Sequence, residues 1–329
     1  MAPKSFSELP SFDELKDKRR FWVGEPSSAE EGLGMLRYLT PEHVAAAAQS
    51  EIRTGERVCL NWEMTKLETP GFGREPVVHE IKTIPNYEGI AWDDVWHFNP
   101  QAGSQWDGFR HFSTATEDGK GRVFYGGTQS EEINDPGSAR IGIGFWAQDG
   151  IASRGFLIDY VSYAEQKGIS VNGIGGQKIT LDDVYEIARQ CKIEFRPGDI
   201  FFLRCGFTKT WDALSMDQKR QYRADTAAKQ HKHSGLEQGE RVARFLWDNH
   251  IVAVAGDGVS FEVRPNHDPQ WDLHHILLAG WGVPIGEMFD LERLAETCKR
   301  LGRWTFFVTS SPLNHPRAVS SPPNCMAIF

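Results

Sequence analysis

Two rhythms of apolar and polar residues run along the chain, one of period two and one near 3.6, and they divide it into strands and helices. Continuous apolar runs at residues 155–160, 200–205 and 251–255 predict buried strands, and the patterns at 57–62, 77–84, 90–97, 283–285 and 304–309 predict further ones. Thr40 followed by Pro41 is an N-cap with proline at the first helical position, which opens a helix running through the alanines to about Ser50. Thr180-Leu181-Asp182-Asp183 is a capping box opening a second helix to about Cys191. Residues 237–250 place Val242, Phe245 and Leu246 on one face of a third, and 274–280 and 290–300 read as helices too. Residues 68–75, 114–121 and 123–140 are loops, and the charged segment 215–234 reads as surface helix and loop. The Pro/Ser-rich tail from Ser310 ends in the apolar Met326-Ala327-Ile328-Phe329, which predicts that it folds back on the body. Strands and helices mix without regular βαβ alternation. The expectation is one α+β domain over residues 36–329, preceded by an N-terminal arm over 1–35 that is a candidate subunit contact.

Composition narrows the functional classes. A net charge of −9 argues against nucleic acid and against an anionic membrane surface, both of which recruit basic faces. The five cysteines are widely spaced without a CxxC, which fits free thiols in a reducing compartment. With no apolar signal core near Met1 and no run of eighteen apolar residues, a cytoplasmic protein acting on a small molecule is expected.

The familiar catalytic signatures are missing. There is no GxSxG elbow and no P-loop, and His79-Glu80 lacks the second histidine of HExxH. Gly142-Ile143-Gly144-Phe145-Trp146-Ala147 has the spacing of a dinucleotide fingerprint, but Asp149-Gly150 breaks the helix that such a site needs. What stands out is residues 103–111, where Asp107 and His111 lie four apart between aromatics and glycines. That spacing suits a pair converging on one ion or substrate group, and it equally suits a turn cap beside a half-buried imidazole. Further along come His274-His275, Glu287, and Asp257 between two glycines. His231 and His233 sit in a charge-rich stretch and read as solvated surface, while His43, His250 and His315 read as structural.

Taken together, these blocks resemble the cyclase family that includes bacterial kynurenine formamidases and isatin hydrolases. Residues 103–111 are similar to that family's H-x-G-T-H-x-D-x-P-x-H motif. Residues 146–159, 197–206, 275–291 and the Ser310-Ser311-Pro312-Leu313 and Ser321-Pro322-Pro323-Asn324 blocks follow in the family's order. The resemblance implies a β-rich α+β domain of the swivelling β/β/α type, usually a homodimer or homotetramer. It implies a divalent metal, zinc or manganese, with Asp107, His275 and Glu287 as ligands and His111 in proton transfer. The two leading histidines of the motif correspond to Gln101 and Gln105, and its proline to Phe109. One of the family's two metal sites is therefore expected to be lost or weakened, with the Gln105 carbonyl a further donor to the other and His97 an alternative ligand.

The reaction implied is hydrolysis of an amide, lactone or ester in a small cyclic or aryl substrate by metal-activated water, with His111 as general acid and base. The alternatives are a metal-independent cyclase or lyase in which Asp107 and His111 act as acid and base, and a binding protein without catalysis. Trp62, Trp106 and Phe109 either pack a planar substrate or belong to the core. Arg110 pairs either a substrate carboxylate or an internal acid.

Overall fold

The three apolar runs become the centre of one sheet. In the computed structural model, which describes residues 5–329, Ile151–Asp159, Ile200–Arg204, Ala253–Gly256 and Ile285–Glu287 lie side by side and parallel. Every residue of Ile200–Arg204 is buried, as a strand covered on both faces requires. One flank continues antiparallel through Thr305–Ser310, Cys325–Ile328 and Arg57–Cys59. The other continues through Gln105–Asp107 to Ser320–Ser321, completing a nine-stranded mixed sheet. The chain is a single α+β domain around that sheet.

The helices form where the sequence caps them. Thr40 accepts a hydrogen bond from the His43 amide at the head of Pro41–Glu51, and Thr180 forms a capping box at the head of Leu181–Cys191. Leu181, Val184, Ile187 and Ala188 are that helix's buried stripe, and Val242, Phe245 and Leu246 serve Glu240–Asp248. Beneath the first helix, Arg154 reaches both Asp199 oxygens at 2.9 and 2.7 Å and Glu51 at 3.2 Å. Removing one partner from such a buried ion pair costs about 3–5 kcal/mol.

Two segments depart from the pattern-based reading. The stretch 215–234 is not simply surface: Lys219, Tyr222, Thr226, His233 and Ser234 are buried. These five residues find partners inside, such as Lys219 Nζ with Glu68 at 2.8 Å and His233 Nε2 with the Tyr222 hydroxyl at 2.9 Å. A count of charges along the chain does not show such pairing. The tail does more than fold back, because it supplies two strands of the main sheet and buries Phe329 fully.

The described part of the N-terminal arm packs into the body. Phe12, Leu15 and Val23 join the core. Trp247 Nε1 donates to the Pro10 carbonyl at 2.8 Å, and Trp22 Nε1 donates to Ala279 at 2.9 Å. By contrast Val78–Thr83 and Trp92–His97 form a separate antiparallel hairpin, and every residue of its two strands is exposed. Among the described residues no helix is long and apolar enough to cross a membrane.

Candidate active site

The site forms where the antiparallel strand Gln105–Asp107 meets the parallel strand Ile285–Glu287. Their register sets Gln105 opposite Glu287 and Asp107 opposite Ile285. Side chains alternate along a strand, so Gln105, Asp107 and Glu287 share one face while Trp106 takes the other. Gly286 permits the close approach: a Cβ there would stand 2.7 Å from the Ala255 Cβ and 2.9 Å from the Trp106 ring. The Ser104 hydroxyl clamps the junction, accepting from the Trp62 amide and donating to the Met288 carbonyl, each at 2.6 Å.

Three ligand-type side chains converge on that face. Asp107, His274 and Glu287 offer atoms that all lie within 4.8 Å of one another, and all three residues are buried. His274 Nδ1 is 2.8 Å from Glu262 Oε1, and its Nε2 is 3.1 Å from Glu287 Oε1. A proton on Nδ1 shared with Glu262 leaves the Nε2 lone pair facing the Glu287 oxygen, an arrangement that calls for a proton or a cation between them. Carboxylates placed behind metal-ligating histidines in this way orient the ring. Glu262 is itself held by Arg264 at 2.7 Å, and Arg264 reaches Asp272 at 2.7 Å.

The electrostatics follow from burial. Burial and the neighbouring Asp107 push the Glu287 carboxyl up to about 7, against the opposing pull of His274. Burial disfavours charge on His274, but Glu262 and Glu287 outweigh it and hold the imidazole well above its ordinary range. Burial lowers His111, with Asp107 opposing. His111 sits 3.7 Å from Asp107 through Nε2 and keeps 21 % of its side chain exposed to the cleft. Gln101 Nε2 donates to Asp107 at 2.9 Å and lies 3.0 Å from His111 Nδ1.

Asp107, His111 and Glu287 therefore come together as the sequence predicted, but His275 does not join them. Its Nδ1 contacts the Ser113 carbonyl at 2.7 Å and Arg122 at 3.4 Å, outside the cluster, and His274 takes its place. The cause is local winding: His275–Trp281 is a π-helix. A π turn takes an extra residue, and such turns recur at functional sites. Counting twelve residues back from Glu287 therefore lands one position beyond the histidine that faces the site.

The aromatic and basic candidates serve the scaffold. Trp106 is fully buried on the far side of its strand, donating through Nε1 to Ser310 at 2.9 Å. Phe109 is fully buried against Tyr125 and Trp146. Arg110 donates to the carbonyls of Arg317, Glu132 and Ser138 at 2.8–3.0 Å and forms no ion pair with an acid among the described residues. Trp62 is buried against Phe207 and lines a separate small pocket at the base of the hairpin. His97 pairs with Glu75 at 2.7 Å in the hairpin, outside the cluster. Asp257 is a structural acceptor, taking the Cys205 and Gly206 amides at 2.6 and 2.8 Å.

The groups the sequence did not single out come from loops. A cleft of about 390 Å³ opens over the cluster, and Phe72, Arg74, Phe112, His231, His233 and Ser260 form its walls. His231 and His233, read as solvated surface, thus face the cleft, and His233 is only 1 % exposed. Their alternation with Lys232 was the available signal, since it sends both imidazoles to one side.

The donor set fits one divalent ion. Two carboxylate oxygens and one imidazole nitrogen converge, and the buried Gln105 Oε1 has no hydrogen-bond donor. The Gln105 amide nitrogen instead donates to Glu287 at 2.7 Å. Oxygen-dominated sets of this kind suit manganese and magnesium as well as zinc.

Fold and site together define an α+β protein with a carboxylate–imidazole centre at the junction of parallel and antiparallel strands. The chain belongs to the cyclase family, whose model ("Putative cyclase") matches residues 76–263, more than half of its length. The crystal structure of a novel cyclase is similar over 92 % of this chain and 97 % of that one, with a TM-score of 0.77 and 26 % identity. Isatin hydrolase A from Labrenzia aggregata, bound to benzyl benzoate, superposes over 87 % of this chain and 97 % of its own, with a TM-score of 0.57 and 13 % identity. Isatin hydrolase A from Ralstonia solanacearum covers 88 % and 97 %, at 0.56 and 14 %. At such identities the isatin hydrolases show a shared fold alone. No curated protein matches the chain by sequence.

Proposed function

We propose that the protein is a metal-dependent hydrolase that cleaves an amide, lactone or ester bond in a small cyclic or aryl substrate. The observation that carries this reading is the convergence of Asp107, His274 and Glu287 beside His111 beneath one open cleft. Asp107, His274 and Glu287 would hold the ion, with manganese or zinc the candidates. When bound, a divalent ion supplies Lewis-acid polarisation and lowers the pKa of water. The chain's own residues do the rest. Glu262 fixes the His274 ring through Nδ1. Gln101 orients His111 and joins it to Asp107. His111, kept neutral by burial, accepts the proton of the attacking water and returns it to the leaving nitrogen or oxygen.

A second reading, metal-free cyclase or lyase chemistry, is favoured by the two glutamine amides that donate into Asp107 and Glu287. Metal analysis separates the two. The purified protein should carry a divalent ion, and EDTA should abolish turnover in a screen of aryl formamides, lactones and cyclic imides, with manganese restoring it. Turnover by metal-free protein that EDTA leaves unchanged overturns the hydrolase reading in favour of the second.

The same proposal includes a homodimer or homotetramer. Ile81, Ile90, Trp92 and Trp96 stand 45–75 % exposed on or beside the hairpin, an apolar surface that an interface would cover. Light scattering on the purified protein tests this, and a monomer at micromolar concentration would remove it.

A further inference from the structure

The cleft is lined by a guanidinium, Arg74, that forms no close ion pair among the described residues and acts on Glu287 only at longer range. Arg74 lies in the loop before the hairpin, with Nη1 donating to the Gln101 carbonyl at 2.8 Å and its head group 5.1 Å from the centre of the Phe72 ring. No carboxylate among the described residues forms an ion pair with it. Arg264, the other arginine of the cleft, is committed to Glu262 and Asp272. Arg74 is thus held in place by a backbone carbonyl and a ring face.

Its neighbours suggest the shape of what it meets. Phe72 packs edge-on against His231 at 5.0 Å, with an interplanar angle of 78°. His231 Nδ1 is buried and has no hydrogen-bond partner. Phe112, also lining the cleft, packs against His274 at 5.2 Å. A cleft of about 390 Å³ lined by two aromatic rings admits one flat ring. At its inner end, Gln101 links Arg74 through its carbonyl to His111 through its amide, so the anion site and the reacting centre share one residue.

We infer that Arg74, with His231 as a second donor, binds the carboxylate of an aryl carboxylate substrate whose ring lies between Phe72 and Phe112. The planar fork of an arginine matches the two oxygens of a carboxylate. A positive group at the wall of the cleft orients an anion by its charge as well as by its fork. The inference rests on the proposed hydrolase for where the scissile bond lies, but the binding does not depend on turnover.

The test is therefore a binding measurement on the purified full-length protein with benzoate and benzamide, followed by calorimetry or tryptophan fluorescence. Benzoate should bind about tenfold or more tighter than benzamide. Arg74→Met should erase that preference, and Arg74→Lys, which keeps the charge and loses the fork, should retain part of it. Equal affinity for the two probes, or a preference that survives in a folded Arg74→Met protein, overturns the assignment. The second result would place the carboxylate on the floor of the site instead. A hydrolase failure would appear separately, as absence of turnover in a protein that still prefers benzoate.

Discussion

The floor and the walls of the cleft are built by opposite means. On the floor, Gln105, Asp107 and Glu287 project from paired strands, so sheet register fixes their spacing and Gly286 sets how closely the strands approach. All of these side chains are buried. On the walls, Phe72, Arg74, Phe112, His231 and His233 come from three separate loop or turn stretches, at 72–74, at 112 and at 231–233. Phe72 is 46 % exposed, and Arg74 is only partly covered. A floor made from strands holds chemistry to a fixed geometry, whereas loop walls can change their side chains without disturbing the sheet. Changes to the floor should therefore stop the reaction, and changes to the walls should alter binding or stability.

The largest effect belongs to His111→Ala, which should lower kcat by about 10²–10⁴-fold with the fold intact by circular dichroism. A loss below about tenfold would remove His111 from proton transfer. Glu262→Gln comes next: it keeps the shape but weakens the hold on His274, and metal affinity should fall about 10–100-fold in a competition titration. Unchanged affinity would show that the floor does not need its supporting carboxylate.

The walls give a smaller, pH-dependent effect. Burial lowers His233 to about 3, with His231 and Arg264 adding to the shift. Below the unfolded value near 6.5 the unfolded chain takes up a proton that the folded chain refuses, so this group's contribution is present above that pH and is lost as pH falls toward 3. Denaturant titrations should show the stability difference between wild type and His233→Phe narrowing by about 1.4 kcal/mol between pH 7.5 and 5.5. A gap independent of pH would contradict a neutral buried imidazole. The smallest effect is expected of His275→Ala, which should leave metal content and turnover unchanged while His274→Ala removes both. The reverse result would exchange the two histidines and undo the geometry of the floor.

Much of the floor was legible in the chain. Asp107, His111 and Glu287 stand in blocks that resemble a family motif; the pattern read a strand at 283–285 next to Glu287, but it read none at Gln105–Asp107. The walls were not legible in the same way. His231 and His233 lie among lysines and arginines that suggest solvent, and only the hydrogen bond from His233 to Tyr222 shows why one of them is inside. Trp106 and Phe109 misled in the opposite direction, since aromatics beside a catalytic acid can serve the core on the far face of the strand.

By itself the sequence determined the apolar central strands and the capped helices, which depend on local periodicity and capping chemistry acting over a few residues. That Asp107, His111 and Glu287 belong together was implied by the family resemblance, and sheet register brings Asp107 and Glu287 to one face. The tertiary structure decided that His274 rather than His275 faces Glu287, because one π turn rotates the helix past the regular count. It also decided that Gln101 and Gln105 bond to the acids they accompany. Finally, it brought Arg74 to the wall of the cleft without a close ion pair, which depends on where distant loops close and which no local pattern records.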